Sequence, residues 1–269
     1  MARLGSKAAS KRWDSVRGEL MSIEELTIQL PAPKPLGLRD CALFLDLDGT
    51  LAPIAARPQD VRPDPRRTGL LERLVNALDG RLAVVTGRTL ADVDRILEGR
   101  VIAVAAVHGL VRRDAQGRLH ERPPHPDLER AGEAFREFAG RDSGLIVEDK
   151  GLSVALHFRL AHQHAEAARA LAHKIAEDTG LTVQDGDMVE ELRTPGPTKA
   201  DSVLAFMAEA PFKGAGPIFI GDDATDEDGF AAAHQLHGCG ILVGAPKPTG
   251  AKYRLPGVEA TLAWLEAGL

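Results

Sequence analysis

The sequence predicts an α/β fold in which a doubly wound parallel sheet is interrupted by a small α+β unit. Two observations point to the parallel sheet. Short apolar runs alternate with helix-like stretches in both terminal parts of the chain, and these runs are continuous, as suits strands covered on both faces. A third predicts the interruption: in the middle of the chain the rhythm changes to helix–strand–strand, twice over, with Gly-containing turns that suit antiparallel hairpins. At 269 residues, a core carrying a smaller inserted domain fits the length.

The elements follow in order. A basic, Pro-rich N-terminal tail is expected over residues 1–37, because "PAPKPLGL" resists regular structure. "CALFLDLD" then reads as the first core strand, "RRTGLLERLVNAL" as a helix and "RLAVVTG" as a strand. "TLADVDRILEG" is the next helix and "VIAVAAVHG" the next strand. After "RRDAQGRLHERPPHP" come the helix "DLERAGEAFREFAG", the strands "LIVEDKG" and "LSVALHFR", the helix "HQHAEAARALAHKIAEDTG" and the strands "LTVQDG" and "MVEELR". Beyond "TPGPT" the first rhythm resumes, with a helix from Lys199, the strand "PIFIGDD", the helix "TDEDGFAAAH" and the strand "GCGILVG". Strand–helix–strand order implies right-handed crossovers. The expected organisation is a core of residues 38–120 and 196–269, with a cap of 121–195 inserted between.

A net charge of −6 argues against a protein that binds a nucleic-acid backbone. An anionic ligand would need a local positive centre. Two cysteines, Cys41 and Cys239, lie inside apolar runs and read as buried thiols in a reducing compartment. No run approaches the roughly 18 apolar residues of a membrane span, and the first twenty residues lack a signal-peptide apolar core. A cytoplasmic protein with no membrane partner is expected.

Ligands of open α/β sheets bind at the carboxyl ends of the strands. Here the strand ends are polar: Asp46 and Asp48 on the first, then Thr86, Gly87 and Arg88 on the second. "IFIGDD" brings Asp222 and Asp223, with Asp226 four residues past Asp222, and Lys199 opens the helix after the cap. Taken singly, a DG pair is a turn, a DD pair a helix cap and a lone lysine a solvated charge. Together, several carboxylates at one sheet edge call for a hard divalent cation, and oxygen ligands suit Mg²⁺. Asp46 and Asp48, two apart on a strand, share a side.

This set resembles the haloacid-dehalogenase-like phosphatases, whose Rossmann-like core carries four motifs matched by "DLDGT", "VVTGR", Lys199 and "GDDATDE". The resemblance implies that Asp46 attacks phosphorus to form an aspartyl-phosphate and that Asp48 serves as acid and base. Thr86 would hold a phosphoryl oxygen, and Lys199 would neutralise charge. Asp46, Asp222 and the Asp48 carbonyl would bind Mg²⁺, with Asp223 and Asp226 orienting those ligands.

Further stretches resemble the trehalose-6-phosphate phosphatase family: "AAVHGLVRRDAQG", "VEDKGLSVALHFR", "MVEELRTPGPTKAD" and "EAPFKGAGPIFIGDDATDEDGF". By that resemblance Glu148, Lys150 and Glu191 would bind sugar hydroxyls from the cap. Arg159 would sit near the phosphate or sugar ring, and Arg88 and His108 would line the same site. Ala200 and Arg193–Thr194 depart from the family pattern at the cap hinge. Phosphatases of sucrose phosphate, a glycosyl-phosphoglycerate or hexose phosphates remain alternatives, as do a non-catalytic sugar-phosphate sensor and a metal–nucleotide glycosyltransferase.

Overall fold

The parallel runs and hairpins of the sequence assemble into two sheets in the computed structural model, which describes residues 30–269. Most of the expected basic tail lies outside the described residues. Its last part packs on the core: Leu36 is buried, Pro31 O accepts from the Arg254 amide, and Trp264 Nε1 donates to Lys34 O.

The N-terminal half of the core runs β1 (Cys41–Leu45), α1 (Pro65–Ala77), β2 (Leu82–Val85), α2 (Leu90–Leu97) and β3 (Ala103–Ala106). A hairpin of β4 (Val111–Arg113) and β5 (Leu119–Glu121) follows. The cap contains α3 (Leu128–Ala139), β6 (Ile146–Asp149), β7 (Ser153–His157), α4 (Ala165–Thr179), β8 (Thr182–Gly186) and β9 (Val189–Arg193). The chain returns to the core as α5 (Lys199–Met207), β10 (Gly216–Gly221), α6 (Asp226–Gln235), β11 (Cys239–Val243), β12 (Tyr253–Leu255) and α7 (Val258–Glu266).

The large sheet has the order β12-β11-β10-β1-β2-β3-β4-β5. Its first six strands are parallel and its last two antiparallel. Alternation along each strand divides the core into two layers. Leu43, Leu45, Val84, Val104 and Ile241 pack with α1, α2 and α7 on one face. Ala42, Phe44, Val85, Phe219 and Leu242 pack with α5 and α6 on the other. The β4–β5 hairpin falls in the charged stretch after "VIAVAAVHG", where three-residue strands leave little periodicity to read.

The cap sheet, ordered β6-β7-β9-β8, is wholly antiparallel. Val154, Leu156 and Leu192 face α3 and α4. The opposite face carries Glu148, Ala155, Glu191 and Gln184 in one cross-strand row. Cys41 and Cys239 are free thiols. Among the described residues, no helix is long and apolar enough to cross a membrane.

Candidate active site

The site forms where β1, at the centre of the large sheet, ends between β2 and β10. The Asp46 amide donates to Ile220 O at 2.9 Å, so Asp46 is level with the end of β10, where Asp222 and Asp223 emerge. The next turn brings the chain against that loop. Gly49 has φ +76°, and a Cβ there would stand 2.1 Å from Asp222 Oδ2. Only glycine satisfies both the backbone and the space. Thr50, buried, donates to Asp222 Oδ1 at 3.3 Å.

Lys199 enters from the other side as the first residue of α5. Thr198 and Asp201 form a capping box that starts this helix. Lys199 Nζ donates to Asp46 Oδ1 at 3.0 Å and to Asp226 Oδ1 at 2.6 Å. All three residues are buried. Burial alone would strip the lysine of its proton, but Asp226 and Asp46 outweigh it and its pKa is raised. Asp46 is pushed well above the usual carboxylate range by burial, which Lys199 only partly opposes, with Asp226 and Asp222 adding repulsion. Burial and the charge of Asp226 push Asp222 up to about 7.

Three carboxylates sharing one ammonium leave negative charge uncompensated, as a cation site requires. Oxygens of Asp46, Asp222 and Asp226 lie within 4.8 Å of one another. Asp226 is already committed: Oδ1 accepts from Lys199, and Oδ2 accepts from the Asp222 and Asp223 amides at 2.9 and 3.0 Å. That leaves Asp46 and Asp222 with open acceptor positions for a hard cation. The Asp223 carboxylate instead accepts from the Ala224 amide.

Thr86 follows β2 and is buried, its hydroxyl accepting from the Arg88 amide at 3.3 Å. Arg88 turns its fork on Asp48: Nε donates to Oδ2 at 2.6 Å and Nη2 to Oδ1 at 2.8 Å. Nη1 donates to Pro58 O. Arg88 is therefore engaged by the Asp48 carboxylate rather than free for a ligand.

The cap supplies the roof. Lys150 Nζ donates to Glu191 Oε2 at 2.5 Å and, across the cleft, to Gly87 O at 3.0 Å. Burial opposes the Lys150 charge, but Glu191 and Glu148 more than offset it. Burial likewise opposes the Glu191 charge, yet Lys150 and His108 hold that carboxyl far below its usual range. His157 Nε2 lies 2.8 Å from Glu148 Oε2. Arg159 is turned to the β8–β9 tip, donating from Nη2 to Asp187 O at 2.8 Å. His108, from the core, places Nε2 3.5 Å from Glu191 Oε2.

One cleft thus gathers Asp46, Asp48, Thr86, Arg88, Lys199, Asp222 and Asp223 from the core with Glu148, Lys150, Arg159 and Glu191 from the cap, and His108 between them. Asp226 lies beneath it, fully buried. Sequence reasoning gave no role to Thr50, His157, Gln184 or Lys247. Thr50 is the last letter of "DLDGT", and His157 opens the "HFR" that ends "VEDKGLSVALHFR". Gln184 lines the cleft only because β8 pairs with β9. Lys247 Nζ donates to Asp222 O from a loop without pattern.

The trehalose-phosphatase family profile matches residues 44–259, most of the chain and every residue above. The chain belongs to the trehalose-phosphatase family. It is 39% identical over 228 residues to the trehalose-6-phosphate phosphatase of Escherichia coli, covering 84% of this chain and 85% of that one. It is 37% identical over 226 residues to a probable trehalose-phosphate phosphatase of Sinorhizobium fredii, covering 83% and 85%. A crystal structure of a trehalose-6-phosphate phosphatase related protein superposes with a TM-score of 0.71 at 28% identity, covering 84% and 95%. In this chain the parallel core and the antiparallel cap occur together.

Proposed function

We propose that the protein hydrolyses trehalose 6-phosphate to trehalose and phosphate with Mg²⁺, through an aspartyl-phosphate on Asp46. The observation that carries this reading is the opposition, across one cleft, of a buried Asp46–Lys199–Asp226 cluster and a cap face bearing Glu148, Lys150 and Glu191. The first suits phosphoryl transfer, and the second offers directional partners to a polyol.

Asp46 attacks phosphorus, and the bond to the sugar oxygen breaks. Asp48 gives that oxygen its proton, then takes one from the water that attacks the phosphoryl group and frees Asp46. Both Asp48 oxygens are held by Arg88, so one of these bonds opens as the leaving oxygen enters. Lys199 keeps Asp46 oriented, and Thr86 holds an equatorial phosphoryl oxygen. Asp46, Asp222 and the Asp48 carbonyl would hold Mg²⁺, which would supply charge stabilisation for the transferring group. Asp226 and Asp223 steady that loop. Glu148, Lys150 and Glu191 select the sugar, because a ligand lacking matching hydroxyls leaves these groups unpaired. The cap, residues 121–195, is the specificity element in this reading, and Arg159 shapes its rim.

The test is phosphate release from a panel of trehalose 6-phosphate, sucrose phosphate, hexose phosphates and a small aryl phosphate. A strong preference for trehalose 6-phosphate is expected, and equal rates across the panel would refute the assignment. Asp46→Asn is expected to abolish turnover while retaining substrate binding by calorimetry.

A further inference from the structure

We propose that His108 is a positioning residue that couples sugar recognition by the cap to the phosphate-binding loop, acting through Glu191. This deepens the reading above and rests on its assignment of Glu191 to the sugar.

The backbone at this position is costly and specific. Val107 and His108 both adopt left-handed conformations, with φ +47° and +55°. Such a pair is strained, the more so for β-branched valine, and strain of this kind persists where the surroundings impose it. What it achieves is visible in the contacts. The Val107 amide donates to Arg88 O at 2.8 Å and the His108 amide to Thr86 O at 2.9 Å. The turn therefore braces the 86–88 loop from beneath. It also sends the imidazole past Gly87: a Cβ on Gly87 would lie 2.4 Å from His108 Nε2. Beyond Gly87 the ring meets Glu191 of the cap.

The circuit closes through Lys150, whose ammonium bonds both Glu191 Oε2 and Gly87 O. The loop carrying Thr86 is thus hydrogen-bonded to the cap carboxylate through Lys150, and His108 adds a contact whose Nε2 stands 3.5 Å from Glu191 Oε2. Glu191 Oε1 remains buried without a hydrogen-bond partner, an acceptor left for a ligand hydroxyl. The other oxygen is fixed by groups that also define the phosphate loop. His108 is neutral here: burial lowers its pKa against the pull of Glu191, while Lys150 and Lys199 repel the cation. A neutral ring beside a carboxylate puts its proton on Nε2, leaving Nδ1, which has no partner, bare. The ring then holds Glu191 by a directed dipole rather than by a second full charge.

Two substitutions separate reach from packing. Asparagine tolerates the left-handed backbone, but its amide ends near the Nδ1 position and stops short of Glu191. Glutamine extends to the position of Nε2. His108→Asn is expected to lower kcat/KM for trehalose 6-phosphate on the order of tenfold more than for a small aryl phosphate, as a misplaced Glu191 would. His108→Gln should restore most of that selectivity. Equal losses on both substrates, or no rescue by glutamine, would overturn the proposal. A second arm needs no substrate. NMR titration of the His108 ring should move to lower pKa in Glu191→Gln, because the carboxylate that favours the imidazolium is gone. An unchanged titration would overturn the contact itself. The wild-type preference for trehalose 6-phosphate tests the functional reading alone.

Discussion

Lys199 shows how much one side chain carries. Its ammonium is the counter-charge within bonding distance of both Asp46 and Asp226, and all three are buried. Removing one partner of a buried pair leaves an uncompensated charge, a loss of about 3–5 kcal/mol. Lys199→Met should therefore unfold at lower urea concentration as well as lose turnover, and an unchanged unfolding midpoint would contradict the burial argument. Arg88 offers a kinetic counterpart. It grips both Asp48 oxygens while its third nitrogen is held by Pro58 O. Arg88→Gln should lower kcat by on the order of 10²-fold, the low end of a general acid's contribution, with KM for the sugar phosphate little changed. A rise in KM with kcat intact would instead make Arg88 a substrate ligand.

At the scale of elements, the site depends on where α5 begins. Thr198 accepts from the Asp201 amide, and Asp201 accepts from the Thr198 amide at 2.9 Å. That box satisfies two orphan donors and fixes the first turn, so Lys199 meets Asp46 rather than fraying outward. Thr198→Ala should cost about 1 kcal/mol and lower kcat through Lys199 placement, measured by thermal unfolding and steady-state kinetics. The cap strand β9 works by alternation. Glu190 and Glu191 are adjacent, yet Glu191 faces the cleft while Glu190 meets Arg169 of α4 at 3.2 Å. One strand therefore offers a cleft-facing carboxylate and one paired with the helix behind it. Glu191→Ala should depress trehalose 6-phosphate turnover far more than aryl phosphate turnover, with equal losses counting against sugar recognition.

For the whole molecule, the crowded carboxylates make stability depend on pH and, in the proposed function, on Mg²⁺ as well. Asp222 is raised to about 7, above the roughly 3.9 of an unfolded aspartate. Its protonated form is thus favoured by the fold. The stability from this group is complete below the unfolded value and is lost as pH rises through about 7. Mg²⁺ needs the ionised form, so its stabilisation has the opposite dependence. The increase in Tm on adding Mg²⁺ should be larger at pH 8 than at pH 5.5, and equal increments would argue against Asp222 as a ligand. Glu191 runs the other way. Its lowered pKa contributes stability above the unfolded glutamate value, lost as pH falls below it.

The sequence by itself determined the α/β class, the strand ends bearing Asp46, Asp48, Thr86 and Asp222, and the inserted cap. These are local facts: an apolar run of four to six residues or a helix start is written in neighbouring letters, and the carboxyl-end rule turns them into a site. The β4–β5 hairpin escaped because three-residue strands, each with one apolar residue, carry almost no periodicity. Tertiary structure decided who partners whom. Nothing local says that Arg88 turns to Asp48, that Asp226 spends both oxygens beneath the site, or that His108 passes Gly87 to meet a residue 83 positions later. Such contacts depend on strand register, hinge position and backbone angles set by the packing of distant elements. Their strength also depends on burial, which exists only once the chain has folded.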